Sequence, residues 1–61
     1  MNERRQTIKL LEANGYVFKR QGGNHDVYFN PETKRMIPVK RHNFDKNTMR
    51  YILKEAGIKE R

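Results

Sequence analysis

The sequence has no cysteine, no tryptophan, only two prolines and no long apolar run in its 61 residues. Without cysteine, neither a disulfide framework nor a cysteine-based zinc site can hold the fold together. No stretch approaches the roughly 20 apolar residues that cross a bilayer, and only 34% of the chain is apolar. We therefore expect one small cytoplasmic domain over residues 1–61, with no membrane attachment, a thin core and no cofactor.

Acidic residues are also scarce, because 7 Asp and Glu stand against 14 Lys and Arg, for a formal net charge of +7. That imbalance favours a polyanionic partner, which is either a nucleic acid or an acidic protein. Charge alone does not choose between these two classes of partner.

An amphipathic segment near the start of the chain predicts a helix. Asn2 can cap its N-terminus, and Ile8 and Leu11 form an apolar stripe. Gly15 can take the left-handed conformation that ends a helix, which lets Tyr16 fold back on Leu11.

A second amphipathic helix is predicted near the end of the chain. Its N-cap is either Asn47 or Thr48, and Gly57 ends it in the same way as Gly15 ends the first helix. Its apolar stripe has the spacing i, i+3, i+4 and i+7 and consists of Met49, Ile52, Leu53 and Ala56.

The middle of the chain predicts three short strands joined by turns. The strands are 16–21, 25–29 and 35–39, and the turns are 22–24 and 30–33. Pro38 cannot donate a backbone hydrogen bond, so it places the third strand at a sheet edge. The expected fold is α+β, an α-β-β-β-α order in which two helices cover one face of an antiparallel sheet.

Alternation along the second strand predicts which side chains face the helices. It puts His25, Val27 and Phe29 on one side, which we expect to be the covered side because it is the more apolar. Tyr28 then points to the open face, where it is the best candidate for stacking on a base, ahead of Tyr16 and Tyr51.

Few side chains offer reactive chemistry. His25 and His42 are the only residues of the type that exchanges protons near neutral pH. Each has a nearby aspartate, Asp26 and Asp45, but two ligands fall short of the three or four that a metal site needs. We therefore expect no metal.

The most informative local motif is a Gly-Gly-Asn-His run. Gly22 and Gly23 permit a tight turn and close backbone approach, and Asn24 leads into His25 at the start of a strand, where a ligand can reach it. From these residues alone, a plain hairpin turn with a histidine at the margin of the core is the favoured interpretation, because a single histidine is weak evidence for catalysis.

Basic residues come in doublets near the predicted strand ends and on the first helix. Such doublets can follow phosphates across a groove, and they can equally form an ordinary solvated surface. The doublets are Arg4-Arg5, Lys19-Arg20, Lys34-Arg35 and Lys40-Arg41.

Taken together, these features resemble the HicA toxin family over nearly the whole chain. The most specific parts are the glycine-x-histidine turn at residues 23–25 and the terminal helix with its Ala-Gly-Ile ending at residues 56–58. Further parts are the Asn-Gly-Tyr helix end at residues 14–16, Tyr28, the Ile-Pro-Val segment at residues 37–39, and His42.

The resemblance implies a fold like that of double-stranded-RNA-binding domains and an activity as a ribosome-independent mRNA interferase. Members of the family are the toxin half of type II toxin-antitoxin modules, and a HicB antitoxin holds them inactive. The family's catalytic histidine maps to His25. The middle residue of that turn is often serine in the family, whereas this chain has Asn24.

The resulting hypothesis is a metal-independent endoribonuclease that acts on mRNA and is neutralised by a HicB-type antitoxin covering the basic face. His25 is the expected base or acid, in a turn formed by Gly22 and Gly23, and His42 is expected to have a structural or substrate-contacting role. The expected RNA contacts are Lys19, Arg20, Asn24, Tyr28, Lys40 and Arg41. Two alternatives are a non-catalytic RNA-binding module and a structural protein of the ribosome.

Overall fold

The computed structural model describes residues 2–58, and over this range the chain runs helix, three strands, helix. The elements are α1 (Glu3–Ala13), β1 (Val17–Gln21), β2 (His25–Asn30), β3 (Arg35–Lys40) and α2 (Lys46–Glu55). This order confirms the predicted α+β fold of the double-stranded-RNA-binding-domain type. The ends of the expected domain, residues 1 and 59–61, lie outside the described residues.

Helix α1 begins and ends where the sequence predicts. The Asn2 side chain accepts a hydrogen bond from the backbone N–H of Arg5 at 3.0 Å. At the other end Gly15 has a φ of 90°, and the Tyr16 N–H donates to the Leu11 carbonyl at 2.9 Å. This hydrogen bond from Tyr16 back to the helix satisfies a carbonyl that has no partner within the helix.

Helix α2 begins earlier than predicted. Its N-cap is Asp45, whose carboxylate accepts from the Thr48 N–H at 2.8 Å. The prediction of Asn47 or Thr48 is therefore wrong. Asp, Asn and Thr are all good caps, and capping at Asp45 also lets its carbonyl accept the Met49 N–H at 3.0 Å, one full turn on.

The end of α2 and its buried stripe agree with the sequence pattern. Gly57 has a φ of 74°, and the Ile58 N–H donates to the Leu53 carbonyl at 2.9 Å. All four predicted stripe residues of this helix are buried, namely Met49, Ile52, Leu53 and Ala56.

The three strands form an antiparallel sheet in the order β1-β2-β3. Strand β3 lies at an edge of the sheet, as Pro38 predicts. A residue without a backbone N–H destabilises an edge strand less than a central one. Between Phe18 and Arg20 the pairing of β1 with β2 shifts by one residue, which is a β-bulge. Tyr16, predicted as the first residue of β1, lies just before it.

The prediction of which β2 side chains face the helices is wrong. Tyr28 pairs with Ile37 and both are buried, so they share the inner face. Val27 and Phe29 therefore lie on the open outer face, and His25 with them. Apolarity did not distinguish the faces, because the outer face also carries large apolar side chains.

Polar residues face inward on β2 because each finds partners there. Asn30, 5% exposed, donates to the Asn14 carbonyl at 3.2 Å and accepts from the Glu32 N–H at 2.9 Å. A buried polar side chain is tolerated when its hydrogen bonds are made.

The core lies between the two helices and the inner face of the sheet. The Tyr16 hydroxyl donates to the Ala56 carbonyl at 3.1 Å, which ties the end of α1 to the end of α2. The core residues are Leu11, Tyr16, Tyr28, Ile37, Val39, Ile52 and Ala56. Within residues 2–58, neither helix has the length and apolarity needed to cross a membrane.

Candidate active site

His25 is the first residue of β2 and is exposed on the outer face of the sheet, where it pairs with Lys40 across the β2–β3 ladder. The preceding turn closes through a hydrogen bond from the Gly22 N–H to the His25 carbonyl at 2.7 Å. A Cβ on Gly22 would lie 3.1 Å from that carbonyl oxygen, whereas one on Gly23 would meet nothing within 4 Å. The close approach therefore favours glycine at position 22, whereas nothing in the surrounding space does so at position 23.

A two-arginine clamp, formed by Arg4, Arg41 and Asp26, holds this turn in place. Asp26 accepts from Arg4 at 2.6 Å and from Arg41 at 3.1 Å, one bond to each carboxylate oxygen. Arg41 also donates to the Gly22 carbonyl at 2.8 Å, and Arg4 donates to the Lys40 carbonyl at 2.7 Å. The clamp thus joins α1, the turn and the end of β3.

The clamp changes the electrostatics of Asp26. Partial burial raises its pKa, but the hydrogen bonds and charges of Arg41 and Arg4 outweigh burial, and the net effect is a lowered pKa. The carboxylate is therefore charged at neutral pH and neutralises two guanidinium groups that would otherwise repel each other.

The clamp gives the two residues of the Lys40-Arg41 doublet different roles. Arg41, predicted as an RNA contact, is half-buried and bound to Asp26 and Gly22. Its neighbour Lys40 lies on the outer face beside His25. One residue of this doublet holds the fold and the other is available at the site.

Lys19 and Arg20 lie together on the outer face because of the bulge in β1. Arg20 pairs with Val27, and the Lys19 ammonium lies 4.8 Å from the centre of the Phe29 ring. Without the bulge, strand alternation would send these two cations to opposite faces. The sequence gives no clear signal for a bulge at this position.

Tyr28 is not placed to stack on a base. It is 7% exposed, and its ring meets Phe18 edge to face at a centroid distance of 5.8 Å. Burial is the main cause that raises the pKa of its phenol. Among the tyrosines, Tyr51 on α2 is the exposed one, at 65%.

Tyr51 lies at a groove of about 260 Å³ between β3 and α2. His25 and Lys40 also line the groove, so it opens beside the candidate site. Its other lining residues are Met36, Ile37, Pro38, Thr48, Ile52 and Glu55.

A second hollow, of about 300 Å³, also has His25 in its lining, and His42 lines it as well. It is lined by Asn24, His25, Lys40, His42 and Asn43. The chain bends sharply after His42, where Asn43 has a φ of 57°, a conformation that asparagine tolerates better than most residues. We call this hollow the histidine hollow.

The two aspartates that follow the histidines in the sequence, Asp26 and Asp45, have other partners. Asp26 belongs to the clamp, and Asp45 caps α2, where hydrogen bonding to Thr48 is the largest cause of a lowered pKa. Among the described residues 2–58, no group of three or more histidine or acidic side chains is arranged to hold a metal ion.

Comparison with known proteins gives one family. A family model described as "HicA toxin of bacterial toxin-antitoxin" matches residues 4–58 of the chain. The match spans α1 through the end of α2 and includes His25 and His42. No curated protein and no solved structure gave a match.

Proposed function

Because the chain belongs to the HicA toxin family of bacterial toxin-antitoxin systems, we propose that it is an endoribonuclease that cleaves mRNA without a metal ion. We propose further that it acts in the cytoplasm, as one domain over residues 1–61, and that a HicB-type antitoxin neutralises it. The observation that carries the proposal is an exposed His25 beside Lys40, in a turn that the clamp holds.

The reaction uses a nucleophile that RNA itself supplies. The 2′-hydroxyl attacks the adjacent phosphorus, a base removes its proton, and the bond to the 5′-oxygen breaks as that oxygen gains a proton. The products are a 2′,3′-cyclic phosphate and a 5′-hydroxyl. His25 exchanges one of these protons, and the Lys40 ammonium stabilises the charge that builds on the phosphoryl oxygens.

RNA recognition uses the outer face of the sheet. Lys19, Arg20 and Lys40 lie on this face, and each can bind a phosphate. Asn24 offers a polar side chain at the rim of the histidine hollow. Tyr51, with its exposed ring beside the groove, takes the stacking role that the sequence assigned to Tyr28.

The same face suits the antitoxin. Val17 is 52% exposed and Met36 is 54% exposed, an unusual exposure for apolar side chains on a sheet. An acidic partner that buries them would also cover His25 and Lys40, so the proposed inhibition is steric exclusion of RNA.

The deciding experiment compares the purified protein with its His25→Ala variant on RNA and on RNA with 2′-deoxy substitution at the cleavage site. We expect the variant to lose cleavage and to keep nearly unchanged RNA affinity, since His25 is exposed and outside the core. The deoxy substrate should bind but stay intact. Glu12→Ala, an exposed change on α1, is the control and should cleave normally.

The alternative of a non-catalytic RNA-binding module predicts a different result. In that case the wild-type protein binds RNA and leaves it intact. Undiminished cleavage by the His25→Ala variant, or efficient cleavage of the deoxy substrate, would also reject the mechanism proposed above.

A further inference from the structure

Cleavage of RNA by 2′-hydroxyl attack moves two protons, and His25 accounts for one of them. We propose that His42 carries the other, so that His25 and His42 form an acid–base pair across the histidine hollow. This inference rests on the proposed endoribonuclease function and adds a second catalytic residue to it.

A backbone hydrogen bond brings the two histidines to the same place. The Arg41 N–H donates to the Asn24 carbonyl at 3.2 Å, and His25 and His42 are the next residues along the chain from these two. The clamp strengthens this junction, because the Arg41 side chain also binds the Gly22 carbonyl. The segments that carry the histidines are therefore fixed to each other.

The histidine hollow has the composition that a phosphodiester site requires. Lys40 lines it together with both histidines, so one hollow holds a positive charge and two proton carriers. Both histidines are exposed and outside the core cluster. The two nearby aspartates have other partners, because Asp26 belongs to the clamp and Asp45 caps α2.

The two histidines share the two proton transfers of the reaction, so no further reactant is needed. One imidazole, neutral, takes the proton of the attacking 2′-hydroxyl as the oxygen–phosphorus bond forms. The other, protonated, gives its proton to the departing 5′-oxygen as the old bond breaks. Each histidine ends in the protonation state opposite to its starting state, and exchange with water restores both.

A substrate with an activated leaving group tests the pair. Uridine 3′-(4-nitrophenyl phosphate) undergoes the same 2′-hydroxyl attack, but nitrophenolate leaves without needing a proton, so the loss of a general acid matters little. The rates of His25→Ala and His42→Ala are measured on this ester and on RNA. We expect both variants to be slowed about 100-fold or more on RNA, and one of them, the acid, to regain a near wild-type rate on the ester.

His42→Gln separates proton transfer from simple substrate contact, since glutamine keeps hydrogen bonding but cannot transfer a proton at neutral pH. We expect it to be as slow as His42→Ala on RNA, with the melting temperature of the wild type. Wild-type cleavage of RNA by His42→Gln would overturn the proposal. Equal slowing of both alanine variants on both substrates would do so as well.

These outcomes are distinct from failure of the proposed function. If the wild type does not cut RNA, or His25→Ala cuts it undiminished, the endoribonuclease itself is rejected. If the wild type cuts RNA, His25→Ala does not, and only the His42 variants behave otherwise than expected, the acid–base pair alone is rejected.

Discussion

Asp26 contributes to the candidate site although it does not face it. Its carboxylate retains 19% side-chain exposure and binds two guanidinium groups, one from α1 and one from the end of β3. Neither cation is Lys40, the residue that pairs with His25 across the β2–β3 ladder. Because Arg41 also binds the Gly22 carbonyl, we expect Asp26 to position the turn before His25 through Arg41.

Asp26→Asn tests this positioning role, because it keeps the shape and removes the charge that binds Arg4 and Arg41. We expect a loss of about 1–2 kcal/mol in the free energy of unfolding, since two guanidinium groups then lose a charged partner at a partly exposed position. We also expect slower RNA cleavage with nearly unchanged RNA affinity. Urea denaturation and single-turnover cleavage measure the two effects, with Glu32→Gln, an exposed carboxylate, as the control.

The stability difference between wild type and Asp26→Asn should depend on pH. The pKa of Asp26 is lowered in the folded protein, so its contribution is complete above the unfolded-state pKa of about 3.9 and is lost as the pH falls through the folded-state pKa. Denaturation at pH 7 should show the full difference, and denaturation near pH 2 should show a smaller one. A difference that stays constant over this range would contradict the charged clamp.

The tyrosines show why the sequence could not assign stacking residues. Alternation correctly separated Tyr28 from its neighbours on β2, but both faces of that strand carry apolar residues, so the pattern could not say which face is covered. Tyr51, by contrast, falls outside the apolar stripe of α2 and is 65% exposed. The helical period of α2 is informative about exposure because this helix has a single apolar face, but the prediction ranked Tyr51 behind Tyr28.

Tyr51→Ala should weaken RNA binding without affecting the fold. Loss of one base–aromatic contact costs about 1–3 kcal/mol of binding free energy, and an exposed ring adds little to the core. Tyr51→Phe keeps the ring and should bind RNA nearly as the wild type does. Affinity for uncleavable 2′-O-methyl RNA and the melting temperature of each variant give the two readouts; wild-type affinity of Tyr51→Ala would rule out the groove as a stacking site.

At the scale of whole elements, periodicity and stop signals predicted most of the fold. The order of elements, the ends of both helices at Gly15 and Gly57, and the edge position of Pro38 follow from local stereochemistry. The bulge in β1 and the clamp did not follow, because both depend on contacts between segments far apart in the sequence. The histidine hollow depends on the same contacts, so the sequence alone showed two histidines without their proximity.

The start of α2 gives different predictions for the melting temperature at Asp45 and at Asn47, two residues further on. Asp45→Ala removes the cap and should lower the melting temperature by about 4–8 °C, the effect of losing one good N-cap in a domain of this size. Asn47→Ala, at an exposed position inside the first turn, should leave it unchanged or raise it slightly because alanine favours helix. Thermal unfolding of both variants measures this; equal melting temperatures would contradict the Asp45 cap.

For RNA binding by the whole molecule, we expect the positions of the charges to matter more than the net charge. The net charge is +7, but Arg4 and Arg41 are bound to Asp26, and Arg35 donates to the Glu55 carbonyl at 3.1 Å near the end of α2. These arginines stabilise the fold. The outer face carries a separate set of cations beside His25, and it is this set that we expect RNA to meet.

The dependence of RNA affinity on salt distinguishes local placement from net charge. If Lys19, Arg20 and Lys40 each bind a phosphate of single-stranded RNA, the logarithm of affinity should fall with the logarithm of salt concentration with a slope of about −2. Arg20→Ala should reduce the steepness by about 0.7. Arg5→Ala removes the same charge from an exposed position on α1 and should leave the slope unchanged. Titrations with 2′-O-methyl RNA at several salt concentrations measure the slopes, and an equal change in both variants would mean that RNA responds to the total charge of the protein rather than to the outer face of its sheet.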